Sequence, residues 1–220
     1  MGIQKQYKNF RPIIADLTKN ADIAQLGKVL KDAKLPLHLV VQNAGMKSPP
    51  RPLTQYTSTQ IDEVLQLNLL APMKLVPLLA DHMAPHSRML FVTSRAATLQ
   101  LKEGSTYCAS KAGLNQVAAI VRQELPNVAI ACVIPGEVDT EIQKTIRETK
   151  SFHLYKQFEE AYETGQLISP KTCAEFLAWM VCDMPYEDFA NSDIPISIYD
   201  EWHHASWLKD PKDLPPFPFD

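Results

Sequence analysis

Three compact apolar runs dominate the chain: Leu37–Val41 (LHLVV), Arg88–Thr93 (RMLFVT) and Val128–Ile134 (VAIACVI). Runs of this kind mark strands buried on both faces. The stretches between them are long enough for helices and carry helical apolar spacing. Ala21–Ala33 places Ile23, Leu26, Val29 and Leu30 on one face. Ser58–Leu70 opens on a capping serine, and Pro72 either kinks it or opens its continuation to about His82. Ser105–Leu125 is stopped by Pro126. Asp139–Gly165 reads as mostly helical, and Pro170–Cys182 as an amphipathic helix with proline in its first turn. Arg11–Ala15 and Ile194–Ile198 read as two further strands. Strands alternating with helices of this length build right-handed βαβ units. The expected fold is therefore α/β, a doubly wound parallel sheet in three αβα layers.

A chain of 220 residues suits one domain with a core that needs no staples. That domain is expected over 1–208, and 209–220, with four prolines, as an extended tail. A formal net charge of −3 argues against nucleic acid as a partner. No run of 18 apolar residues predicts a membrane span. The four cysteines have no CxxC spacing and no zinc pattern, so no metal is expected, and they read as reduced thiols of a cytoplasmic protein whose N-terminus lacks the apolar stretch of a signal peptide. There are 17 prolines but only 7 glycines.

Ligands of a doubly wound sheet sit outside the carboxyl ends of its strands. The residues that follow the strands are Asp16-Leu17-Thr18, Gln42-Asn43-Ala44-Gly45, Ser94, and Pro135-Gly136-Glu137-Val138-Asp139-Thr140. Tyr107 and Lys111 stand in the first turns of the long helix, four apart and so on one face. An ammonium beside a phenol favours the tyrosinate and is expected to lower its pKa, which would let the pair move a proton near neutral pH.

This set resembles the short-chain dehydrogenase/reductase family in its compact single-domain branch. The marks are Asp16-Leu17-Thr18, Asn43-Ala44-Gly45, Asn68, Ser94, Tyr107-Cys108-Ala109-Ser110-Lys111 and Pro135-Gly136, in order and at strand ends. A finer likeness to the sepiapterin-reductase and benzil-reductase group rests on Pro135–Thr140 running into Glu141–Arg147 and on the Ser169-Pro170 helix start. The resemblance implies a Rossmann-like fold and carbonyl reduction, or its reverse, with a nicotinamide as hydride carrier. It assigns Tyr107 as acid–base, Ser94 to the substrate oxygen, Asn68 to a water linking Lys111 to solvent, and Lys111 also to the nicotinamide ribose. It assigns Asp16 and Leu17 to the adenine pocket, Asn43, Ala44 and Gly45 to the cofactor ribose, and Pro135, Gly136 and Thr140 to the nicotinamide. Gln4 and Lys5, with no acid beside them, lean toward NADP over NAD. A homodimer or homotetramer is implied, with a small carbonyl compound as substrate.

Two departures stand out. Gln42 replaces the first Asn of the N-N-A-G mark. Only 15 residues precede Asp16, whereas a strand–helix–strand unit with its Gly-rich phosphate turn needs roughly 30. Met1-Gly2-Ile3 resembles the end of that unit's second strand. The expectation is an N-terminally truncated fold with an exposed apolar strand edge.

Blander readings accompany these. Asp16 also suits a helix cap, Asn68 a polar spot on a helix, and Asn43-Ala44-Gly45 a plain turn. Cys108 reads as packing, His203-His204 with Trp202 and Trp207 as a core or subunit cap, and Asp139–Glu163 as a solvated face or a lid over substrate. The tail reads as a strap over its own or a partner subunit. The rival to a reductase is a non-catalytic member of the family kept as a binding or scaffold partner. An epimerase or dehydratase would need a substrate domain that these residues do not supply.

Overall fold

The computed structural model of the chain describes residues 7–219. It holds four parallel strands, β1 (Leu37–Gln42), β2 (Met83–Val92), β3 (Val128–Ile134) and β4 (Ile196–Ser197), side by side in that order. Helix α1 (Asn20–Ala33) precedes β1. Ser58–Leu65 (α2) runs through a π turn at Gln66–Leu70 into Ala71–Ala80 (α3) ahead of β2, and α4 (Ser105–Glu124) precedes β3. Four short helices separate β3 from β4: α5 (Glu141–Glu148), α6 (Tyr155–Glu163), α7 (Pro170–Ala178) and α8 (Tyr186–Ala190). Helix α9 (His204–Trp207) and the tail follow.

The three layers come from strand alternation. Met89 and Phe91 of β2 with Ile130 and Cys132 of β3 face Ile23, Leu75, Leu79, Leu114 and Val121. Leu90, Val92, Ala129, Ala131 and Val133 face Phe176, Met180, Phe189 and Trp207. The two central strands are thus covered on both sides, as their unbroken apolar runs require. The helical stretch Ser58–Ala80 is long and apolar enough to cross a bilayer. Here it packs Val64, Ala71, Leu75 and Leu79 inward.

Three expectations need correction. Arg11–Ala15 is no strand: it pairs with nothing, and Ile13 and Ile14 are exposed. A strand exists only against a neighbour, and among the described residues β1 has one, β2. The outer edge of β1 accordingly leaves Leu39 and Val41 about two-fifths exposed, at 40% and 43%. Pro72 does open the continuation, standing in the first turn of α3. Its ring would strike the carbonyl of Asn68, four residues back, and the backbone widens into the π turn just before it, with Ala71 N–H bonded to Gln66. The β2 strand begins five residues early because Leu37 pairs with Met83 across an irregularity that accommodates Pro85. The last strand shrinks to Ile196–Ser197, since Pro195 has no donor for the ladder.

Candidate active site

The carboxyl ends of β1, β2 and β3 open onto one cavity of about 630 Å³. Asn43, Gly45, Ser94, Tyr107, Lys111, Pro135, Gly136 and Thr140 all line it. Of the other sequence candidates, Asn68 lies fully buried just behind it, and Ala44 is not on the wall. Asp16 and Leu17 do not reach it. Asp16 closes a tight turn, accepting from the Thr18 N–H (3.0 Å) and hydroxyl (2.7 Å) and pairing with Lys19, while Leu17 packs beside α1 and α3. Those hydrogen bonds, the Thr18 hydroxyl first, hold the Asp16 carboxyl below its usual pKa. Met1-Gly2-Ile3, Gln4 and Lys5 lie outside the described residues.

The π turn has a purpose at Asn68. It turns this side chain out of helical register toward the segment after β1. Asn68 Oδ1 accepts from Met46 N–H (2.8 Å), and its Nδ2 donates to Met46 C=O (2.8 Å) and to Ser110 Oγ (3.1 Å). The helix is thereby tied to the Asn43–Lys47 turn and to α4. Gly45 stands in the middle of this knot. A Cβ there would lie 3.5 Å from both Asn68 Oδ1 and Lys111 Nζ. Gly136 is held more tightly. Its φ is +81°, and a Cβ would fall 2.8 Å from Ile198 Cγ2 and closer still to Ile168.

Tyr107 and Lys111 share the inner face of α4. Lys111 Nζ donates to Val92 C=O (2.9 Å) and sits 5.9 Å from the centre of the Tyr107 ring. Burial pushes the Lys111 amine down to about 8. Burial also pushes the Tyr107 phenol up to about 12; a hydrogen bond from Ser94 pulls the other way, and the Glu137 carboxylate adds to the rise. This corrects the expectation of a lowered tyrosine. Desolvation, which favours the neutral form of each group, is the largest cause for both. Ser94 itself caps the turn after β2, accepting from Ala96 N–H (3.2 Å).

Several cavity residues escaped the sequence reading. Lys47, two residues after Gly45, holds its ammonium 5.3 Å from the Tyr107 ring centre and 5.9 Å from that of Phe152. Glu137, directly after Gly136, accepts from Gln143 Nε2. Burial raises the Glu137 carboxyl and lowers the Lys47 amine, and each opposes the other's shift. Their signal was available: Glu137 lies within the strand-end segment Pro135–Thr140, and Lys47 is a charged residue two positions beyond the Asn43-Ala44-Gly45 turn. The tail contributes Phe217 and Phe219. Among the described residues no cluster of three His, Cys, Asp or Glu side chains could hold a metal.

The donor set fits the nicotinamide-ribose half of a dinucleotide. A glycine backbone, the Lys111 ammonium and the Thr140 hydroxyl border one cavity with the Tyr107 phenol. The described residues contain no Gly-rich turn at a helix N-terminus for a diphosphate.

Parallel βαβ architecture with a Tyr–Lys pair and a serine at the sheet edge defines a dehydrogenase of the short-chain type. The short chain dehydrogenase family profile matches residues 2–151, and the chain belongs to this family of oxidoreductases. The finer likeness is also found. Benzil reductase ((S)-benzoin forming) of Saccharomyces cerevisiae is 30% identical over 198 residues, covering 82% of this chain and 74% of that one. The Bacillus subtilis enzyme of the same name is 36% identical over 141 residues, 60% of this chain and 58% of that one. Sepiapterin reductase of Bos taurus is 26% identical over 198 residues, 85% of this chain and 73% of that one. The chain thus spans less than two thirds of the Bacillus subtilis relative. Among solved structures, a short-chain dehydrogenase/reductase from Saccharomyces cerevisiae superposes with a TM-score of 0.80 at 23% identity, covering 93% of this chain and 83% of that one. It shares the fold.

Proposed function

We propose that the protein reduces a small ketone or diketone with hydride from NAD(P)H, and that Tyr107 delivers the proton to the substrate oxygen. The observation that carries the reading is the convergence of Ser94, Tyr107 and Lys111 on one cavity beside Gly45 and Gly136. A nicotinamide bound there supplies the hydride. The chain's own groups do the rest. The Ser94 hydroxyl, on the same cavity wall as Tyr107, is placed to steady the developing oxyanion, and the phenol holds the proton that the oxyanion takes. Lys111 would hold the cofactor ribose, and Asn68 keeps the Asn43–Lys47 turn in position beside it. The apolar wall from α5, α6 and the tail excludes water from the reacting atoms. Benzil is the first substrate to try, by analogy with the relatives.

NADP over NAD is part of the proposal and rests on Lys5 alone. So is assembly as a homodimer or homotetramer, supported by the apolar side chains of Leu70, Met73 and Ile120 that the long helices expose. A cytoplasmic location is proposed from four cysteines that stand as free thiols. The scaffold alternative draws on the Gly-rich turn missing from the described residues.

Titration of NADPH and NADH, followed by benzil reduction, decides between them. The expected result is cofactor binding and turnover, with Tyr107→Phe reducing turnover by about 10²- to 10⁴-fold while cofactor affinity holds. A folded chain that binds neither cofactor would leave the scaffold reading standing.

A further inference from the structure

After α9 the chain turns once at Pro211–Asp213, where Asp210 caps the Lys212 N–H (2.9 Å). It then runs back over the cavity mouth. Leu214 packs against the core under α7 and α8. Phe217 sets its ring edge-on to Tyr199 (5.5 Å, 79°) and lies beneath the Arg95 guanidinium, 4.0 Å from carbon to ring centre. Phe219 leans on Phe158 of α6 (4.3 Å) and meets Phe217 edge to face (5.6 Å, 87°). Both rings border the cavity that holds Tyr107 and Ser94.

The composition of this segment explains how it can lie there without a sheet or helix to hold it. Pro215, Pro216 and Pro218 have no N–H to leave unpaired, and their locked φ keeps the strand stiff and extended. Ordering such a segment costs less entropy than ordering a flexible one. The alternation of proline and phenylalanine turns both rings to the same side, onto the body. Arg95 belongs to the turn after β2, next to Ser94, so Phe217 is clamped by a residue adjacent to the reacting groups.

The cavity wall therefore carries two unlike sets of groups. One is polar, with Ser94, Tyr107, Lys47 and Glu137. The other is the phenyl rings of Phe158, Phe217 and Phe219, and the edge-to-face meeting of Phe217 with Phe219 is the kind of arrangement onto which a further aromatic ring packs well. We propose that Phe217 and Phe219 form an aryl-binding wall, so that the C-terminal tail selects carbonyl compounds bearing a phenyl-sized ring. This deepens the carbonyl-reductase reading and, for turnover, rests on it.

The test compares three diketones, benzil, 1-phenylpropane-1,2-dione and butane-2,3-dione, on the full chain and on Phe217→Ala, Phe219→Ala and Phe219→Tyr. The expected result is that each alanine variant loses at least about tenfold more kcat/KM on benzil than on butane-2,3-dione, with the one-ring compound between them, and that Phe219→Tyr restores the preference. An equal loss on all three diketones, or no loss, overturns the wall. Benzil binding without cofactor, followed by tryptophan fluorescence, separates this outcome from failure of the reductase reading. If the chain reduces none of the three, the wall still requires benzil to bind the parent at least about tenfold more tightly than either alanine variant. Equal affinities, or no binding to the parent, refute it.

Discussion

Replacing Asn68 by alanine tests the joint on which the site depends. Asn68 is fully buried, and its amide makes three hydrogen bonds, two of them to the Met46 backbone. Alanine leaves the Met46 N–H and C=O without partners. An unmade hydrogen bond of this kind costs about 1–3 kcal/mol per group. Met46 is only half-buried, so water recovers part of that and the lower end of the range applies to each. Ser110 keeps its own bond to Tyr107 C=O (2.8 Å) and loses only the bond it accepted. The total comes to about 3 kcal/mol. With a urea slope of about 2–3 kcal/mol per molar, the unfolding midpoint should fall by about 1 M. Tryptophan fluorescence reads this from Trp179, Trp202 and Trp207. Asn68→Asp should fare no better, because its second oxygen faces the Met46 carbonyl where Nδ2 now donates. A midpoint within about 0.3 M of the parent in both variants would refute the assignment of Asn68 as the tie between the π turn and the Asn43–Lys47 segment.

Three further outcomes are expected. Gly136→Ala should cost about 3 kcal/mol in urea unfolding, since it forces an alanine to φ +81° and a Cβ against Ile198 and Ile168. Val41→Lys should suppress concentration-dependent aggregation seen by light scattering, and leave the unfolding free energy within about 0.5 kcal/mol, because the side chain lies exposed on a strand that is paired on one side only among the described residues. His203 accepts from Trp207 Nε1 (2.9 Å) on Nδ1 and faces Ser197 C=O (2.9 Å) with Nε2, a pattern that only the neutral ring satisfies. Burial lowers its pKa from 6.5, so the unfolded chain protonates first, and stability present above 6.5 should decline as pH falls below it; His203→Gln should flatten that decline in urea titrations at the two sides of 6.5.

The parts of the molecule legible in the sequence are those decided by local pattern. The β3 strand came out with its boundaries intact because an apolar run flanked by Pro126 and Pro135 has few other solutions. The long helix carrying Tyr107 and Lys111 is equally plain, and the strand-end rule collects the part of the cavity wall that borders the sheet. What stayed hidden depends on partners. Arg11–Ala15 has strand composition but no neighbour to bond. The π turn follows from the clash of Pro72 with a carbonyl one turn back, which apolar periodicity does not register. The tail's prolines announced an extended segment, but its landing place is set by Arg95 and Phe158, far away in sequence. The Tyr107 pKa went the wrong way for a related reason: the i, i+4 spacing records a nearby cation and says nothing about how much water is lost.

That last point bears on the direction of the proposed reaction. A phenol pushed up to about 12 stays loaded with its proton across the neutral range. It can give that proton to an oxyanion whose basicity exceeds its own, which is what reduction of a carbonyl asks of it. The reverse reaction asks for a tyrosinate, and three features of this cavity oppose one. Burial penalises the anion, the Glu137 carboxylate repels it, and Lys111 spends its ammonium on Val92 C=O while burial draws its own pKa down to about 8. Lys47 stands beside Lys111 as a second cation near the Tyr107 ring, 5.3 Å from its centre, and it in turn is pulled toward neutrality by burial. The neutral phenol, the form that reduction of a carbonyl consumes, is therefore the favoured one in this cavity, while the net direction follows the ratios of cofactor and substrate.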